Sequence, residues 1–269
     1  MVRKREARRK LILKFSFCLV GILILIDFLI LFFGRSLDFS VFADFMNIII
    51  SLSVILISFF CYSHLLKKFP EEKKFFLILF VAFIFRFFGE LSWAYFDLSL
   101  NFIPDFSFAD AMWMISYFLI IAGFGYHLKK MEIPKRNNAV LFFTSAIGLI
   151  SLLFIFAVYL VMLNIMPSAK FAFLINESYV LLDLIILALV LTPLYFSIKK
   201  HSKCFYFYFL FALGFVFYTI YDLLFAQMFL QGTYFSGGKV EFLYFLSYFC
   251  IFSAFYSRYK YLNDFKKKI

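Results

Sequence analysis

The chain is poor in the residues that punctuate or solvate a fold. Proline contributes 5 of its 269 residues and glycine 10, and only 16% are charged. An ordinary soluble domain is about 25% charged. The shortage of charge excludes a water-soluble globule and a disordered chain, and the shortage of breakers leaves long helices with short connections. The four cysteines, Cys18, Cys61, Cys204 and Cys250, stand alone in apolar surroundings. No C-x-x-C or metal-ligand spacing joins them, which excludes a disulfide scaffold and reads as small buried hydrophobes. H-E-x-x-H, Walker A, G-x-S-x-G and G-x-G-x-x-G are all missing, so nothing marks a nucleophile, a metal or a cofactor. His64, His127 and His201 each sit near lysine at the end of an apolar run. That placement is interfacial and at the wrong depth for haem or a metal.

What remains is apolar: 65% hydrophobic residues, 46 of them Phe, with a mean hydropathy of +0.94. A membrane span needs about 20 mostly apolar residues. Eight segments satisfy this: Leu11–Phe33, Phe42–Leu66, Phe75–Leu98, Phe108–Leu128, Val140–Leu163, Phe171–Ile198, Phe205–Leu230 and Val240–Tyr259. The first follows RKREARRK but is longer than the roughly 7–15 residues of a signal-peptide core and lacks a cleavage site, so it reads as a retained span. Pro70, Pro104, Pro134 and Pro167 fall in the breaks, while Pro193 predicts a kink inside the sixth span. The expectation is an all-α, polytopic, multi-pass membrane protein of eight helices.

Of the 27 Lys and Arg residues, all but Arg35, Arg86, Lys170 and Lys239 lie in the N-terminal tail, the C-terminal tail and alternate loops. By the positive-inside rule those segments, and both termini, are cytoplasmic. The net charge of +11 then faces anionic membrane lipid, and nucleic acid is not a partner.

The chain also reads as two copies of one unit. Glu90, Asp110, Trp113 and Tyr117 recur 131 or 132 residues later as Asp222, Glu241, Tyr244 and Tyr248. Asp44, Asn47 and Ser51 align in the same way with Asn176, Tyr179 and Asp183. This divides the chain into halves 1–136 and 137–269, each with four spans. An even number of spans makes the halves parallel repeats, with polar groups expected at their interface.

Charged side chains at bilayer depth cost about 2.5–3.5 kcal/mol or more each, so each invites a functional reading. Asp27, Asp44, Glu90, Asp97, Asp110, Glu177, Asp222 and Glu241 all fall in the outer half of the predicted spans, and Asp183 nearer the midplane. Arg86, Glu90, Trp93 and Asp97 share one helix face. Asp110, Trp113 and Tyr117 share another, and Glu241, Tyr244 and Tyr248 repeat it. Lipid would penalise these stripes, so they are expected to face one another. The predicted ligand-binding set is Arg86, Glu90, Trp93, Asp110, Trp113, Tyr117, Asp183, Asp222, Glu241 and Tyr244. Asp44, Asp110 and Glu241 also stand in first turns, where they can equally cap their helices. Arg86, alone among so many acids, is expected to form a buried ion pair with Glu90, Asp183 or Asp222.

The stretch FADAMWMISYFLIIAGFGYHLKK carries Asp110, Trp113, Tyr117, Gly123 and Gly125 before Lys129 and Lys130. It resembles the eight-span membrane-embedded sensory regions of archaeal and bacterial histidine kinases and diguanylate cyclases. In that family a PAS, kinase or cyclase domain follows the last span. Here KYLNDFKKKI follows Tyr259, so the resemblance implies output through a separate signalling partner or a homo-oligomer. Three functions follow from the residues. The first is a sensor-like module holding a small polar or cationic ligand in an acidic, aromatic-lined cavity open to the outside. The second is a proton-coupled secondary transporter. The third is an intramembrane enzyme using a metal held by carboxylates.

Overall fold

The computed structural model describes residues 40–65, 70–100, 106–131, 170–199, 202, 204–234 and 238–266, with a few helical positions between 148 and 161. The predicted span Leu11–Phe33, with Asp27 and Cys18, lies outside the described residues, as does most of Val140–Leu163 and His201. Among the described residues all regular structure is helical. The helices are α1 (Ser40–Leu65), α2 (Pro70–Tyr95), α3 (Phe108–Lys130), α4 (Lys170–Lys199), α5 (Phe205–Leu230) and α6 (Glu241–Lys266). A π-helical turn, Phe96–Leu100, extends α2.

These helices have 23 to 30 residues. At 1.5 Å per residue that is about 35–45 Å, enough to cross a hydrocarbon layer of about 30 Å. Five of them, α1 to α5, are also apolar enough to do so. The sixth, α6, is as long but carries Tyr, Ser, Glu, Arg and Lys among its apolar residues, and composition alone does not qualify it. The chain is therefore a helical, multi-pass membrane protein in its described part.

Polarity is inverted relative to a soluble bundle. Val41, Phe45, Leu52, Leu56 and Phe59 form an exposed apolar stripe on α1, while Asp44, Asn47, Ser51 and Ser58 of the same helix are buried. Phe88, Phe118, Phe171 and Leu224 are exposed on other helices, whereas Arg86, Glu90, Asp183 and Asp222 are buried. Lipid solvates the Phe and Leu side chains and cannot solvate the acids. The positional pattern that water dictates for a helix face is thus applied in reverse.

Consecutive helices pack on one another: α1 on α2, α2 on α3, α3 on α4, α4 on α5, α5 on α6, and α6 back on α1. The contacts close a ring. α5 and α6 pack tightly at Gly214, where a Cβ would lie 2.8 Å from Ile251 Cγ1 and 3.0 Å from the Ser247 carbonyl. Only hydrogen fits there. α4 runs unbroken through Pro193 to Lys199. The middle of the ring is a phenylalanine layer. Phe83, Phe207, Phe211 and Phe255 meet mostly edge to face, with centroids 5.5–6.5 Å apart, the geometry the ring quadrupole favours.

A polar knot closes the lysine-rich end. Arg258 of α6, only 4% exposed, pairs through Nη2 with Glu72 of α2, and its Nη1 donates to Cys204 Sγ at 2.9 Å. His127 of α3 bonds the Tyr208 hydroxyl at 2.6 Å and stacks on Phe75 at 4.4 Å. Cys204, half-buried and packed against the apolar core, also meets a guanidinium, because the first turn of α5 abuts α6 near Arg258. His127 stands half-buried in the last turn of its helix beside the exposed Lys129 and Lys130, with one ring face covered by Phe75. Burial pushes the Cys204 thiol up, so at neutral pH it stays a thiol and accepts the guanidinium N–H without adding charge. Cys61 and Cys250 are buried as expected.

Candidate functional site

At the other end, helical spacing puts chemistry on facing surfaces. Arg86, Glu90 and Trp93 lie at i, i+4 and i+7 on α2, and Asp110, Trp113 and Tyr117 at i, i+3 and i+7 on α3. With Asn47 of α1, Asn176 and Tyr179 of α4, Tyr221, Asp222 and Phe225 of α5, Tyr234 of the following loop, and Glu241 and Tyr244 of α6, they line one cavity of about 60 Å³. At roughly 10–15 Å³ per water it holds a few waters or one small ligand.

The carboxylates are held by phenols. Glu90 Oε1 accepts from Tyr244 at 2.5 Å, Tyr248 at 2.7 Å and Trp113 Nε1 at 3.1 Å. Glu241 Oε1 accepts from Tyr234 at 2.7 Å and Tyr221 at 3.1 Å. Burial and the Glu241 carboxylate raise the Tyr234 hydroxyl well above its ordinary range, which keeps it a donor. Asp222 Oδ2 accepts from Tyr117 at 3.3 Å. Asp110 does two jobs. Its Oδ2 accepts from the Ser107 backbone N–H at 2.7 Å and hydroxyl at 2.6 Å, closing a capping box at the start of α3, and its Oδ1 accepts from Tyr179 at 2.7 Å. The capping expected of Asp110 is present, and the same residue also lines the cavity.

Arg86 departs from expectation. It is buried, but among the described residues no carboxylate oxygen lies within ion-pairing distance of it, and the one ion pair is Arg258–Glu72. Its guanidinium carbon instead sits 4.1 Å from the Tyr218 ring centre and 4.9 Å from that of Tyr117, and Nε donates to the Tyr218 hydroxyl at 3.2 Å. Two phenol faces flank the cation where a carboxylate was predicted, because Tyr117 and Tyr218 project from α3 and α5 at the same level. The nearby acids act on it through space only.

Nine of the ten predicted ligand-binding residues line the cavity; Asp183 does not. It is fully buried, its two oxygens have no hydrogen-bond partner, and its polar neighbours are Tyr117 and Asp222. Asp44 and Asp97 neighbour each other outside the lining, each with one orphaned oxygen. Glu177 also lies outside it. Sequence reasoning aligned Asn47, Asn176 and Tyr179 through the repeat without including them in the site, and passed over Tyr221, Phe225 and Tyr234. Tyr221 and Phe225 stand 132 residues after Gly89 and Trp93, so the repeat spacing pointed to them. Tyr234 sits in a loop where no periodicity operates.

The lining combines carboxylates and aromatic faces with one guanidinium, that of Arg86. Among the described residues no three His, Cys, Asp or Glu side chains come together at metal-binding spacing. No family model matches the chain, and no curated protein or solved structure is significantly similar to it.

Proposed function

We propose that this chain is a membrane-embedded, sensor-like binding module that takes a small organic cation from the non-cytoplasmic side. One observation carries the reading: Glu90, Asp222 and Glu241, from three helices, meet in a single cavity walled by Trp93, Trp113, Tyr221, Phe225 and Tyr244. Carboxylates supply the counter-charge, and aromatic faces favour an organic cation over a hydrated inorganic one. The cavity lies at the end of the bundle away from Lys73, Lys129, Lys199 and Lys260, which is the outer end by the positive-inside rule. In this reading all eight predicted segments span the membrane and both termini are cytoplasmic.

The two-halves reading, 1–136 and 137–269, draws support from the packing. Shifting each helix three places along the series maps the closed ring of contacts onto itself. Positions 132 apart also meet: Arg86 bonds Tyr218, and the rings of Trp93 and Phe225 lie 6.2 Å apart. Such contacts are expected beside an axis relating parallel repeats. The sensory-region resemblance adds the idea of a signalling partner or a second copy receiving the output.

The transporter reading has Asp183 in its favour, a buried acid below the cavity with unpartnered oxygens. Against it stands the phenylalanine layer, which offers an ion no polar stepping stone toward the cytoplasmic end. The test uses the chain's two tryptophans, Trp93 and Trp113, both of which line the cavity. In nanodiscs, saturable change of tryptophan emission on titration with small alkylammonium salts supports the binding module, and no change at millimolar concentrations overturns it. Flux of the same cation into proteoliposomes, abolished by Asp183→Asn, would favour the transporter.

A further inference from the structure

Three of the carboxylates in the cavity share a pattern that narrows the ligand. Glu90, Glu241 and Asp222 each take the protein's hydroxyl and indole donors on one oxygen, whereas Asp110 uses both of its oxygens. All three bonds to Glu90 end on Oε1, both bonds to Glu241 end on Oε1, and the bond to Asp222 ends on Oδ2. Glu90 Oε2, Glu241 Oε2 and Asp222 Oδ1 take no part in these bonds, with the Asn47 side chain beside Glu241 and Asp183 beside Asp222. A tethered carboxylate with a bare second oxygen is an oriented acceptor. Asn47 gives an independent sign of the same kind. It is 7% exposed and lines the cavity, and its side-chain oxygen has no partner. A buried acceptor left without a donor carries an uncompensated desolvation cost until something donates to it. Tyr117, Tyr221, Tyr234, Tyr244 and Trp113 are already committed to the other oxygens, and Arg86 Nη1 in the same lining has no partner.

An aromatic box alone would accept any small organic cation, quaternary ones included. Bare acceptors in the same box discriminate. A quaternary ammonium has no N–H and would leave every one of them unpaired, whereas a primary ammonium brings three donors to a single point. We infer that the cavity selects a primary ammonium group, with its N–H donors on the free oxygens of Glu90, Asp222 and Glu241 and its alkyl part against the aromatic walls. This rests on the cation-binding reading above and adds the ligand's hydrogen-bonding class. The discrimination follows the general rule that a site built to hydrogen-bond an N–H rejects the analogue lacking it, since its buried acceptors are then stranded.

The test compares ethylammonium with tetramethylammonium by tryptophan emission and calorimetry on the whole chain in nanodiscs. Ethylammonium is expected to bind more tightly by about tenfold or more, the worth of one charge-assisted hydrogen bond. Asn47→Leu and Glu241→Gln are each expected to weaken ethylammonium several-fold and to shrink that ratio. Circular dichroism of each variant checks folding, and Glu90→Gln serves if either fails to fold. Tetramethylammonium binding as tightly as ethylammonium, or a ratio unmoved in the folded variants, overturns the primary-amine inference and leaves the cation site standing. If neither cation binds, both readings fall.

Discussion

At Gly89 there is no room for a side chain. A Cβ would fall 2.3 Å from Trp113 Nε1, the atom that bonds Glu90. Gly89→Ala is therefore expected to swing the indole away, break that bond and weaken cation binding by about tenfold. A shift of tryptophan emission before any ligand is added reads the displacement, and an unchanged spectrum would show that the indole adjusts in place. Arg86 offers a second test. Its planar, weakly hydrated cation suits two phenol faces, whereas lysine concentrates charge at a point that prefers water. Arg86→Lys is expected to destabilise the bundle by about 1–2 kcal/mol, measured as loss of Tm in detergent. A full retention of Tm would mean that the rings do not grip the guanidinium.

Among the helices, two polar ties act far from each other. Asp110 both caps α3 and receives Tyr179 from α4, so Asp110→Ala removes a cap worth about 1 kcal/mol together with the α3–α4 link. Asp110→Asn is expected to keep most of the cap while weakening the link, and thermal unfolding of the pair separates the two effects. At the basic end, the Arg258–Glu72 pair joins α6 to α2. Removing only Glu72 strands a nearly buried guanidinium. Glu72→Gln is expected to cost about 1–3 kcal/mol, and the double variant Glu72→Gln with Arg258→Met less than the sum of the single ones. Additive losses in that cycle would show the two side chains to be uncoupled. Helix existence and type were legible from the apolar runs. These ties were not, because they depend on which helix ends meet: Arg258 read as one more cytoplasmic charge, and Arg86 as the partner of a carboxylate.

For the molecule as a whole, the orientation read from Lys and Arg has a direct consequence. A cysteine introduced near Lys170 or Lys239 is expected to react with an impermeant maleimide on intact cells. One near Lys130 or Lys199 is expected to react only after permeabilisation, and the opposite pattern would place the cavity on the cytoplasmic side. The acids at the cavity end were legible because lipid forbids them an outward direction, and helical spacing then says which of them share a face. The sequence also marked Asp183 for the cavity. The structure sets it beneath, since a depth along the helix axis says nothing about what lies between a residue and the opening.

Composition and periodicity determined the solvent this chain is built for, the extent of its described helices and which faces turn inward. Those follow from local chemistry, since apolar length matches a bilayer and charge avoids it. Only the tertiary structure decided that Arg86 rests between tyrosines and that Glu90, Glu241 and Asp222 are each tied by one oxygen. Those outcomes depend on the depth and rotation at which separate helices meet, which no single helix encodes.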